Sequence, residues 1–76
     1  MKLSELSCGT SGKVTGMSAL PAATRKKLMV MGMLPETPVT VVRLAPLGDP
    51  LQVRVRGVDM ALRKQVAAAI EVEVQS

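Results

Sequence analysis

Phenylalanine, tyrosine, tryptophan and histidine are all missing from these 76 residues. Any core must therefore be assembled from aliphatic and methionine side chains, each burying less area than an aromatic ring. A chain this short supports one domain with one thin core. Residues 1–76 are read as that single domain, with 47% of them hydrophobic.

The same absence narrows function. Without histidine the chain lacks the usual acid and base near neutral pH and the commonest transition-metal ligand. Without aromatic rings it lacks stacking platforms for single-stranded nucleic acid and an aromatic groove for proline-rich peptides. Enzymatic activity is not expected, nor is direct nucleic-acid binding. The net charge of +4 and pI near 9.9 suit an acidic protein partner, an anionic surface, nucleic acid or plain solubility, and charge alone does not choose among them.

Cys8 is the single cysteine, so no internal disulfide forms and a reducing cytoplasm fits. The opening residues carry no apolar run suited to a secretion signal, and no stretch approaches the roughly 20 apolar residues of a membrane span. A membrane role is expected to run through a partner.

Leu3 and Leu6 mark a lead-in, Gly9 to Gly12 a loop, and Lys13 to Met17 a first strand by its alternation. Pro21 has the character of a first helical residue. Ala22 to Met31 forms the helix, closed by Gly32 in a left-handed cap, with Met33 folding back onto Leu28 and Pro35 barring continuation. Thr24, Leu28 and Met31 share a face and Arg25, Lys26 and Lys27 the adjoining one, so the helix is expected to be amphipathic with a basic side.

Val39 to Leu44 and Leu51 to Arg56 read as antiparallel strands, the second with Val53 and Val55 inward and Arg54 and Arg56 outward. Val58 to Leu62 reads as a fourth strand and Leu62 to Ile70 as a brief helix or turn. Glu71 to Val74 reads as a closing strand whose pairing with an early one would remove exposed edges.

No cluster carries evident chemistry. Cys8 and the carboxylates of Glu5, Glu36, Asp49, Asp59, Glu71 and Glu73 are scattered singly, so no metal or cofactor site is assigned. Gly9 to Lys13 lacks phosphate-loop spacing and runs into a strand, which makes it a turn. What remains is surface. Leu28, Met29, Met33 and Leu34 form an apolar cluster and Arg25, Lys26 and Lys27 a basic one, and these seven are the candidate partner-binding residues. Taken singly, Leu28 and Met31 also read as core, with Met29 and Met33 covering it. Arg43, Arg54 and Arg56 read either as solvated strand residues or as a lining for an acidic partner.

The run Arg25 to Pro35 (RKKLMVMGMLP), the loop Ala45 to Pro50 (APLGDP), the strand Val53 to Gly57 and the closing Leu62-Arg63-Lys64 with Ala67 and Ile70 resemble the FeoA family, in order and over essentially the whole chain. The resemblance implies a mainly β protein with short helices: a small SH3-like β-barrel of about five strands, with a helix inserted between the first and second. It implies a cytoplasmic accessory protein of bacterial ferrous iron uptake, without catalysis of its own. Such a protein binds the cytosolic side of FeoB, a membrane transporter carrying a G-protein domain, and is recruited through it to the inner face of the membrane. Weak self-association is left open. One departure is Glu36, where the family usually has glycine after the proline; glutamate there implies a turn without a positive φ.

Two other readings are carried. The fold implied resembles the C-terminal SH3-like domain of metal-dependent repressors, which would make the chain a metal-linked regulatory module acting with a DNA-binding partner, since it has no room for a helix-turn-helix. Alternatively Arg43 or Arg63 would enter a partner's nucleotide site as an arginine finger.

Overall fold

The computed structural model describes residues 1–74. A 3-10 turn (Leu3–Glu5) is followed by β1 (Ser11–Gly16), α1 (Ala22–Val30), β2 (Pro38–Leu44), β3 (Leu51–Val55), β4 (Val58–Leu62), α2 (Lys64–Ala67) and β5 (Glu71–Val74). The strands pair antiparallel in one sheet of order β4-β3-β2-β1-β5. Five strands with a helix between the first two is the expected architecture, and Glu71–Val74 does pair with an early strand.

The expected barrel does not close. β4 and β5 end the strand order and do not pair with each other, so two edges remain. Alternation can mark Glu71–Val74 as a strand, but whether distant edges meet depends on how far the sheet curls. The β5 edge is covered instead by the start of the chain: the Val72 N–H donates to the Met1 carbonyl (2.8 Å), the Leu3 N–H to the Ile70 carbonyl (2.9 Å), and Lys2 bridges Glu71.

Register shifts between Val14 and Gly16 and between Val41 and Arg43 mark bulges in the β1–β5 and β2–β3 ladders. Bulges sharpen the right-handed twist, which lets a short sheet curl around its own inner face. That face carries Val14, Val39, Val41, Leu51, Val53 and Val55, all fully buried with Leu3, Met33 and Ile70. Small β-branched residues suit the pleat and fill a thin core that offers no room for rings.

Two local readings change. Ser11 and Gly12 begin β1 and do not belong to a loop. Gly12 is buried at a close strand approach, where an added Cβ would stand 3.1 Å from Val72 Cβ and 3.3 Å from Leu6 Cδ1. Arg56 (φ 53) leaves the strand and joins Gly57 (φ 81) in a two-residue left-handed turn between the paired Val55 and Val58, the geometry of a tight hairpin.

Candidate functional site

The candidate residues sit on α1 and the turn that ends it. Pro21 stands just outside the helix (φ −56, ψ 146), so the first helical residue is Ala22. At the other end Met31 is the cap and Gly32 (φ 102) turns left-handed. The Met33 N–H donates to the Leu28 carbonyl (3.0 Å) and the Gly32 N–H to the Met29 carbonyl (3.1 Å). The Gly32 bond satisfies the Met29 carbonyl at the helix end, while the Leu28 carbonyl accepts from both Met31 (3.1 Å) and Met33 as the chain folds back.

Both of those side chains go inward. Leu28 is 5% exposed and Met33 fully buried, so neither belongs to the outer apolar surface of α1, and the apolar cluster expected there is split. Met29 and Leu34, each 38% exposed, remain outside. They are joined by Val30 (81%) and Met31 (42%), neither of which is among the seven candidates. Met31 is thus surface, against its reading as core. A glycine cap that draws Leu28 and Met33 inward leaves Met29, Val30 and Met31 between them facing outward, and that signal could have found Val30.

The basic residues do not make one side. Arg25, Lys26 and Lys27 are consecutive, and at about 100° per residue they fan around the helix. Each precedes an exposed apolar residue by four positions, Met29, Val30 and Met31 respectively, so charge and apolar surface are interleaved in stripes. Leu28 is the one buried residue of α1. The helix is therefore anchored by a single side chain and its end cap, and is not amphipathic in the expected sense.

The turn after α1 is pinned to β1. The Glu36 N–H donates to the Val14 carbonyl (2.7 Å) and the Val14 N–H to the Thr37 carbonyl (3.0 Å). Glu36 adopts φ 71, so the turn keeps its left-handed shape although glutamate occupies it, contrary to expectation. Its carboxylate pairs with Lys13 at 2.8 Å, and this hydrogen bond, then the charge, holds the Lys13 ammonium above its ordinary range.

The other arginines separate. Arg54 grips Asp59 at 2.7 and 3.1 Å, which pushes the Asp59 carboxyl below its ordinary range and commits Arg54 to the sheet. Arg43 and Arg56 are exposed and have no ion pair among the described residues. The loop Ala45 to Pro50, with a cis Asp49–Pro50 peptide, is tied down where Asp49 Oδ1 accepts the Lys64 N–H (3.0 Å). Cys8 is exposed, its Sγ donating to the Val42 carbonyl at 3.1 Å. Among the described residues no three Cys, His, Asp or Glu side chains gather as metal ligands would, and no helix is long and apolar enough to cross a membrane.

Comparison with known proteins adds an independent line. The family model for the FeoA domain matches residues 1–74. A curated relative from Porphyromonas gingivalis, an Fe(2+) transport protein A/Fe(2+) transporter FeoB fusion protein, is 37% identical over 76 residues. The match takes in 100% of this chain but only 9% of the fusion's length. The solution structure of FeoA from Chlorobium tepidum shares 38% identity with a TM-score of 0.95, covering 100% of this chain and 71% of that one. Crystalline Stenotrophomonas maltophilia FeoA, complexed with zinc and described as a prokaryotic SH3 domain protein, shares 34% identity with a TM-score of 0.84, covering 96% of this chain and 89% of that one. The unclosed five-stranded sheet with its inserted helix is accordingly an SH3-like fold.

Proposed function

The chain belongs to the FeoA domain family, which is linked to ferrous iron transport, and from that premise we propose that it is a non-enzymatic accessory module that binds the cytosolic side of a FeoB-type ferrous iron transporter and modulates its activity. The fusion carries this reading, because a relative of the whole chain is there joined covalently to a FeoB. Tethering supplies a domain to its partner at high effective concentration. Where the domain is not tethered, its own surface has to supply that occupancy, and α1 offers the means.

Met29, Val30, Met31 and Leu34 expose flexible apolar groups able to anchor in a partner's pocket. Arg25, Lys26 and Lys27 stand beside them to steer an acidic surface into place. Leu28 and Met33 shape this surface from below without touching the partner. The module then works at the inner face of the membrane, held there by the transporter, with iron as the transporter's cargo.

The test is titration of the chain against the full-length transporter of the same organism in nanodiscs, with and without guanine nucleotide and ferrous iron. Saturable binding that is lost in a Met29→Glu/Leu34→Glu variant supports the module and its surface. Binding unchanged by that variant shows the surface to be wrong, and no binding under any condition sinks the reading. Leu28→Glu is unsuited to the purpose, since a charge at a buried position would threaten the fold itself.

A further inference from the structure

α1 does not pack flush against the β4–α2 segment. Two clefts, about 410 Å³ and 240 Å³, lie between them and meet at Thr24 and Val66. The stripe Thr24, Leu28 and Met31 forms one wall, roughly 10 Å long at the rise of an α-helix. Leu62, Val66 and Ala69 form the other. Small and aliphatic side chains thus line a groove as long as two helical turns.

Its rim is charged on both sides. Lys27 stands on the α1 wall and Arg63 on the opposite one; both are exposed, and neither has an ion pair among the described residues. Among the described residues no carboxylate lines either cleft. The rim of the groove is therefore basic and attracts a carboxylate, with the Arg63 fork suited to two-point contact.

We propose that this groove binds a short acidic, apolar-anchored peptide segment. Its apolar side chain sits between Leu28 and Val66 while an adjacent carboxylate spans Lys27 and Arg63. A second copy of this chain is a poor occupant, because its own exposed apolar strip is flanked by cations and each copy carries +4. The groove shares Lys27 and Met31 with the proposed transporter surface but not Met29, Val30 or Leu34, so the peptide titration and the Met29→Glu/Leu34→Glu variant test the two readings separately.

The experiment titrates the full isotope-labelled chain with two blocked synthetic peptides of identical leucine spacing, one flanked by glutamates and the other by lysines, and follows amide resonances. The glutamate peptide is expected to shift Thr24, Lys27, Val66 and Ala69 saturably, with affinity that falls as salt is added. In a Lys27→Glu/Arg63→Glu variant, whose exposed substitutions leave the spectrum dispersed, its affinity falls by about tenfold. The proposal is overturned if those amides do not move, if both peptides move them equally, or if the charge-reversed variant binds as well as the original chain. Loss of transporter binding in a Met29→Glu/Leu34→Glu variant would bear only on the other surface.

Discussion

Glu36 holds a backbone conformation that its side chain disfavours. A left-handed φ crowds the Cβ of an L-residue at a cost of about 1–2 kcal/mol, whereas glycine adopts it freely. Glu36→Gly should therefore stabilise the protein by about 0.5–1 kcal/mol after the added freedom of the unfolded chain is counted. The exposed pair with Lys13 is a minor loss. A melting temperature raised by several degrees is the expected readout, and Glu36→Val should lower it. Gly12 behaves in the opposite sense. With Val72 Cβ only 3.1 Å from the site of a new methyl, Gly12→Ala overpacks a rigid strand contact and should cost about 1–3 kcal/mol in denaturant unfolding. Both positions escaped the sequence reading for one reason: residue type reports what a backbone prefers, and here the surrounding hydrogen bonds and strand spacing overrule the preference.

Among the elements, the end of α1 was the most legible. Gly32 followed by Met33 and Pro35 announces a left-handed cap with a hydrophobic fold-back, and the hydrogen bonds to Leu28 and Met29 realise it. Its consequence for the candidate site was not legible, because four neighbouring methionine and leucine residues look alike in composition while the cap sends them in different directions. Stability separates them: Met33→Ala should cost about 2–5 kcal/mol by emptying a fully buried position, while Val30→Ala, at 81% exposure, should lie within about 0.5 kcal/mol of the original chain. Comparable losses at both positions would refute the division of α1 into core and surface. The strand β3 was legible for a simpler reason, since Leu51, Val53 and Val55 alternate with Gln52 and Arg54 and only one face is buried. The groove beside α1 was not, because it exists only through the distance between α1 and α2, which no local pattern encodes.

At the scale of the whole molecule, charge pairs centred on Asp59 and Glu71 bind parts of the sheet together. Arg54 and Asp59 join β3 to β4, and Glu71 ties β5 to the start of the chain through Lys2 and the N-terminal ammonium at 3.5 Å. Hydrogen bonding from Arg54 holds the Asp59 carboxyl below its ordinary range, and hydrogen bonding from Lys2, with charge from the terminus, does the same for Glu71. A carboxyl whose folded value is depressed contributes stability above its unfolded value and loses it as pH falls through the folded one. The expected melting temperature is thus steady near neutrality and declines below about pH 4, where unpaired carboxyls ordinarily protonate. Rising positive charge on an already basic chain adds to that decline through general self-repulsion. An Asp59→Asn/Glu71→Gln variant separates the two effects: it should melt lower than the original chain at neutral pH, with the gap narrowing to nothing in acid and shrinking in high salt because all five partners are partly exposed. A gap of constant size from neutrality into acid would mean that these pairs do not carry the acid sensitivity and that self-repulsion alone does.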